Sequence, residues 1–294
     1  MYKRILVPLD GSDLSESALP YARQFAKALN AVVDLVYAVP TNIGDEIPDQ
    51  ITIEARKDGE TYLQRIADTL PKELRPRYQV KSGYPADVIV DEAELQKDTL
   101  VVMATHGYSG LKRLMLGSVA HKVVQGAATP VLLIPAGAKG PDGGPVELRR
   151  AIAPLDGSSL AEDILPSVIK LCKALNMQLI LARAYNPNFP GSSIRMHDIS
   201  KIVHDAAESY IKDKAAELTT QCGKHVEYKV LRGIPAEQIT DLALKTPNSM
   251  TAMCTHGRHG PGRWLLGSVT DAVIHCSEEP VLVVRGPRIT TASG

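Results

Sequence analysis

"PLDGSDL" occupies residues 8–14 and "PLDGSSL" residues 154–160 of a chain of 294 residues. Six of the seven positions are identical, and an apolar run ("RILV", "RAIA") leads into each. The heptapeptide therefore reads as the end of a buried strand passing into an Asp-Gly-Ser turn. Finding it twice, about half a chain apart, asks whether the whole chain is doubled.

It is. "THG" recurs at 105–107 and 255–257, "LGSV" at 116–119 and 266–269, and "PVLLI" (130–134) answers "PVLVV" (280–284). "GYPADVI" (83–89) pairs with "GIPAEQI" (233–239). The offset is 146 early in the repeat (10 to 156) and 150 later (117 to 267), so the second copy holds four extra residues between its second and third strands. Loop length is cheap there. "AGAKGPDGGPVE" (136–147) is rich in Gly and Pro and lacks apolar periodicity. It reads as a linker. The sequence predicts two like domains, 1–138 and 148–290, joined by 139–147.

Within a copy, short β-branched runs alternate with longer amphipathic ones. The strands of the first are "KRILVPL", "AVVDLVYAV", "RYQVKS", "TLVVMAT" and "PVLLIP". Between them lie helical stretches such as "SESALPYARQFAKALN", where Ala18, Ala22, Phe25, Ala26 and Leu29 fall on one face. Such alternation predicts an α/β fold, a parallel sheet with helices on both faces. Five strands and four helices per copy are expected, in two doubly wound domains.

Composition narrows the function. Basic and acidic residues balance at 33 each, with one Trp and two Phe in the chain. Neither a basic face for nucleic acid or anionic membrane nor an aromatic stacking surface is on offer. No apolar run approaches the ~20 residues that span a bilayer. "MYKRILVPLD" lacks the apolar core and cleavage site of a signal peptide. A cytoplasmic location is expected. All four cysteines fall in the second half without a CxxC pair. They read as reduced, mostly buried thiols.

The residues that break the apolar pattern gather at one end of the sheet, where ligands of doubly wound folds bind. Strand one ends in Pro8-Leu9-Asp10-Gly11-Ser12, strand four in Ala104-Thr105-His106-Gly107. Gly117-Ser118 then opens a helix, with Ser118 near its N-cap. A helix N-terminus presents unpaired N–H groups and the positive end of the macrodipole, and glycine lets an anion come close. Gly107, Gly110, Gly117 and Ser118 together suit a phosphate, and Asp10 an adenine or ribose. The second copy offers Asp156, Gly257, Gly260, Gly267 and Ser268. Asp-Gly-Ser is equally ordinary turn chemistry, and His106 and His256 read as hydrogen-bonded turn residues. Cys222-x-x-His225 and His256-x-x-His259 have ligand-like spacing but complete no four-ligand set, so no metal site is expected. Lys112 and Arg113 suit either phosphate attraction or a solvated turn.

"ATHGYSGLKRLMLGS" (104–118) and "CTHGRHGPGRWLLGS" (254–268) resemble the nucleotide motif of the universal stress protein family: Gly, two residues, Gly, nine residues, Gly, then Ser or Thr. "PLDGS", "GxPAxxI" and the terminal "PVL" strand match as well, so the likeness is to the tandem form and covers nearly the whole chain. The resemblance implies strand order 3-2-1-4-5, an ATP or related adenine nucleotide, and a role in stress response; Mg²⁺ is compatible with such a nucleotide but is not itself implied. The resemblance also implies association through the last strand of each domain, by intramolecular pairing or in a homodimer. Pro8 and Asp10 then contact adenine or ribose, Ala38 packs near the base, and Met103 and Ala104 face the nucleotide. Gly107, Gly117, Ser118 and Val119 face the phosphates. Pro154, Asp156, Ala184, Met253 and Cys254 stand at the matching places of the second copy, followed by Gly257, Gly267, Ser268 and Val269. The motif's first Gly is Ala104 in one copy and Cys254 in the other, so a tighter, weaker second site is expected.

A regulatory nucleotide-binding protein is the leading expectation. A phosphoryl-transfer enzyme competes with it. The GxxxxGK[ST] pattern is missing and no carboxylate recurs beside the phosphate loop. A pure interaction protein is the third class, against which both retained Gly spacings count.

Overall fold

The computed structural model describes residues 1–40, 49–106, 116–136, 146–186, 196–255 and 266–286. The chain divides into two compact units, Met1–Glu147 and Leu148–Gly294. In the first, strands β1 (Arg4–Leu9), β2 (Val32–Val39), β3 (Arg77–Ser82), β4 (Thr99–Ala104) and β5 (Val131–Ile134) alternate with helices. These are α1 (Asp13–Glu16), α2 (Leu19–Leu29), α3 (Asp49–Asp68), α4 (Pro85–Glu94) and α5 (Ser118–Gly126). The second repeats the plan with β6 (Arg150–Pro154), β7 (Gln178–Tyr185), β8 (Glu227–Arg232), β9 (Ser249–Thr255) and β10 (Val281–Arg285). Its helices are α6 (Ser159–Glu162), α7 (Leu165–Leu175), α8 (Met196–Cys222), α9 (Pro235–Leu244) and α10 (Ser268–Cys276).

Strand order is β3-β2-β1-β4-β5 in one unit and β8-β7-β6-β9-β10 in the other, every pair parallel. This is the expected 3-2-1-4-5 order. β1 and β4 are buried along their whole length, as strands covered on both faces must be. β3 ("RYQVKS"), at an outer edge, is the most polar strand of its unit.

The helix expected over 15–30 is broken. α1 ends at Glu16 and α2 starts at Leu19 with Pro20 in its first turn. Pro20 has no N–H to give residue 16, and its ring collides with that carbonyl in a continuous helix. Pro166 divides α6 from α7 in the same way. Each unit therefore carries a one-turn helix beyond the four expected. The four extra residues of the second copy fall in the β7–β8 connection, where α8 has 27 residues against 20 in α3.

The ladder between β1 and β4 runs only from Arg4–Thr99 to Leu6–Val101, although both strands continue for three more residues. Between β6 and β9 it likewise stops at Ile152–Thr251. Proline explains the stop. Leu155 N–H donates toward β7, to Ala182 O at 2.8 Å, so the preceding nitrogen faces β9, and there Pro154 has no hydrogen to offer. Pro8 holds the same place in β1. Beyond the prolines the central strands part, and a crevice opens at their carboxyl ends.

Candidate functional site

The turn after β1 is held by its own side chains. Asp10 Oδ1 accepts from Ser12 N at 3.0 Å and from Ser12 Oγ at 2.6 Å. Ser12 Oγ in turn accepts from Ser15 N at 3.1 Å, capping α1. Ser15 Oγ donates to Ser12 O at 2.8 Å and accepts from Asp10 N at 3.3 Å. Gly11, at φ +86°, supplies the left-handed residue between them. So the ordinary turn chemistry of Asp-Gly-Ser is present, and it fixes the carboxylate rather than competing with a binding role.

The second unit repeats the turn. Asp156 Oδ1 accepts from Ser158 N (2.9 Å) and Ser158 Oγ (2.5 Å), and Ser158 Oγ caps α6 through Ala161 N (3.1 Å). Ala161 lacks the hydroxyl of Ser15. Arg183, standing where the first unit has Tyr37, donates instead to Leu155 O at 3.3 Å. Burial pushes the Asp156 carboxyl up, but the Ser158 hydrogen bonds and the Arg183 charge outweigh it and hold the group below the usual carboxylate range.

Across the crevice, Gly117 N donates to Thr105 O at 2.8 Å. A Cβ on Gly117 would lie 2.8 Å from that same carbonyl oxygen, closer than a carbon can sit. Only glycine brings α5 this near to the end of β4. Gly117 itself is the N-cap, with no side-chain cap, and Ser118 is the first helical residue. Gly267 and Ser268 open α10 identically. The first N–H groups of both helices therefore have no intrahelical partner.

These pieces enclose a cavity of about 260 Å³ in the first unit. Pro8, Asp10, Ala38, Met103, Ala104, Gly117, Ser118 and Val119 all line it. The second cavity is about 270 Å³, and Pro154, Asp156, Ala184, Met253, Cys254, Gly267, Ser268 and Val269 line it. Gly107, Gly110, Gly257 and Gly260 lie outside the described residues, as do Lys112, Arg113, His256 and His259. The second cavity is therefore no smaller as a whole than the first, although Cys254 stands where Ala104 does. The buried Cys254 thiol is pushed up to about 12, chiefly by desolvation.

Sequence reasoning missed one wall. Pro85 and Ile89 of α4 line the first cavity, Pro235 and Ile239 of α9 the second. The signal was in view, because "GYPADVI" and "GIPAEQI" had already marked the repeat. His106 Nδ1 lies 3.0 Å from Thr105 Oγ1, as in a local turn contact, but the residue also lines the first cavity, and burial lowers its pKa. The cysteines are less buried than expected, with Cys222 half-buried and Cys276 exposed. No group of three metal-ligating side chains occurs among the described residues.

The sequence profile of the universal stress protein family matches residues 1–135 and 147–285, one segment for each unit. The chain belongs to the universal stress protein family. The universal stress protein MJ0531 of Methanocaldococcus jannaschii is 34% identical over 145 residues, covering 46% of this chain and 82% of that one. The universal stress protein Mb2028c of Mycobacterium bovis aligns end to end, 24% identical over 96% of both chains. In fold, the chain is similar to the crystal structure of a universal stress protein from Archaeoglobus fulgidus. The TM-score is 0.69 at 18% identity, over 97% of this chain and 99% of that one.

Proposed function

We propose that the protein binds ATP or a related adenine nucleotide in each unit and acts as a stress-response regulator rather than as an enzyme. The observation that carries this reading is the pairing, in one cavity, of an uncapped helix N-terminus with a fixed carboxylate, repeated in both units. The phosphates lie against the N–H groups of Ser118 and Val119, where the helix dipole favours anions. The base packs between Ala38, Met103 and Ile89, and Asp10 accepts from its amino group or from the ribose. Mg²⁺, when bound, neutralises the phosphate charge. Among the described residues Asp10 is the single carboxylate lining the first cavity, and its Oδ1 already serves the turn. Binding and release, not hydrolysis, is the chemistry such a site favours.

Titration calorimetry with ATP on the full chain tests the reading, together with mass spectrometry of ligand retained on purification. Saturable binding at two sites is expected. No binding of ATP, ADP, AMP or cyclic AMP at millimolar concentration would overturn it.

We place the protein in the cytoplasm; among the described residues no helix is long and apolar enough to cross a membrane. The domains are proposed to be 1–138 and 148–290 with 139–147 between them, so limited proteolysis should cut first in the linker. Taken by itself, each unit ends its sheet in β5 or β10, and unpaired strand edges seek partners. Association through these strands, within one chain or between two, is proposed, and a Leu133→Pro variant should lower the sedimentation coefficient or loosen the chain.

A further inference from the structure

The first unit has a second large cavity, about 470 Å³, at the opposite end of its sheet from Asp10. Lys3 precedes β1, Val32 opens β2, Arg77 opens β3, and Gln96 follows α4. The volume is within the ~300–1,000 Å³ range of small-molecule sites. Lys3, Arg75 and Arg77 line it, and no acidic residue does. Among the described residues none of the three cations is in an ion pair.

Part of this charge has a structural use. Asn30 caps the C-terminus of α2 in the left-handed region, and Arg75 Nη2 donates to Asn30 O at 3.0 Å and to Asn30 Oδ1 at 3.4 Å. The carboxyl ends of α2 and α4 both lie here, and each carries roughly half a negative charge. Together they balance about one cation. Two remain, in a concave wall that concentrates their field.

We propose that this cavity binds a compact polyanion of the phosphate class. The guanidinium forks of Arg75 and Arg77 match paired phosphate oxygens, Lys3 adds a point charge, and the amides of Asn30 and Gln96 add neutral donors. The second unit does not repeat the arrangement. Counting by the repeat, Arg149, His225, Glu227 and Thr246 stand at the places of Lys3, Arg75, Arg77 and Gln96. Glu227 reverses the charge, and the cavity lined by His225 is only about 30 Å³. The basic cavity is thus a property of the first unit, not of the fold. Because it sits at the other end of the strands from the first crevice, both can be filled together.

The test is calorimetric titration of inorganic tripolyphosphate into the full chain at physiological salt. Three proteins are compared: wild type, Lys3→Ala/Arg77→Ala, and Lys72→Ala/Lys97→Ala. The last removes the same charge from exposed positions outside the cavity. One binding event should weaken at least tenfold in the cavity variant and stay within twofold in the charge-matched control. Far-UV circular dichroism checks that both remain folded. Equal affinities for the two variants, or no event that depends on the cavity, would overturn the proposal. A citrate titration as tight as tripolyphosphate would overturn the phosphate-class assignment.

Discussion

Arg4 Nε donates to Asp34 Oδ2 at 2.6 Å inside the first unit, where the two side chains are 5% and 13% exposed. The same guanidinium reaches Glu92 O at 2.5 Å and Glu92 Oε2 at 3.4 Å, and Lys81 Nζ lies 2.8 Å from Glu92 Oε1. In the second unit Ile180, Leu231 and Leu242 hold the places of Asp34, Lys81 and Glu92, and they pack in an apolar cluster with Ile152, Ala182 and Ala243. One fold position is filled by an ion network in one copy and by hydrocarbon in the other.

Removing one member of a buried network strands the remaining charge, at a cost of about 3–5 kcal/mol. Asp34→Ala and Glu92→Ala should each destabilise the first unit by an amount of that order. The triple change Asp34→Ile, Lys81→Leu, Glu92→Leu removes both carboxylates but leaves the Arg4 guanidinium buried, so it should cost at least as much as either single change. Urea unfolding of the three variants checks the ranking.

Stability should shift with pH through two carboxyls of opposite sign. Burial opposes ionisation of Glu92, yet hydrogen bonds from Lys81 and Gln79 and the charges of Lys81 and Arg4 lower its pKa. Its contribution is complete above the unfolded value near 4.5 and is lost as pH falls through the lowered folded value. Glu279 is pushed up to about 7, first by burial and then by Glu278. Its folded state holds the proton more tightly, so its contribution is complete below about 4.5 and is lost as pH rises through about 7. Glu279→Gln should raise the melting temperature at pH 8 by on the order of 2 °C and leave it nearly unchanged at pH 5.

Gly117 and Ser118 separate folding from binding. A Cβ at Gly117 meets Thr105 O at 2.8 Å, so Gly117→Ala must push α5 away from β4. Overpacking of this kind costs about 1–3 kcal/mol, and nucleotide affinity in the first site should drop at least tenfold. Ser118 is exposed and does not cap its helix. Ser118→Ala should keep the wild-type melting curve and weaken nucleotide binding alone. Calorimetry and thermal unfolding on both variants distinguish the two effects.

Cys254 offers a check on the equality of the sites. With cavities of about 260 and 270 Å³, Cys254→Ala should change affinity at the second site less than threefold. The raised pKa of the thiol, about 12, also makes it slow toward alkylating reagents. Cys276, exposed, should label first by mass spectrometry.

Much of this protein is written along the chain. The doubled "PLDGS" gave two domains, and continuous apolar runs such as "LVVMA" gave buried parallel strands, because periodicity and turn chemistry act over a few neighbouring residues. The cavity-lining set was legible for the same reason, since each member sits at a strand end or a helix start. The break at Pro20 was also local, and was missed only because the apolar stripe continues across it.

What the chain could not show depends on residues dozens of positions apart. That Pro8 parts β1 from β4 requires knowing which neighbour its missing N–H faces, and strand order decides that. The wall from Pro85 and Ile89 exists because α4 packs over the same crevice. The likeness of the two cavity volumes, despite Ala104 in one and Cys254 in the other, is a sum over every lining atom. Whether Arg4 meets Asp34 and Glu92, or its counterpart Arg150 turns to Pro247 O, is set by strand register and helix placement. Local sequence fixes elements and their ends; only the packed fold decides which distant side chains share a site.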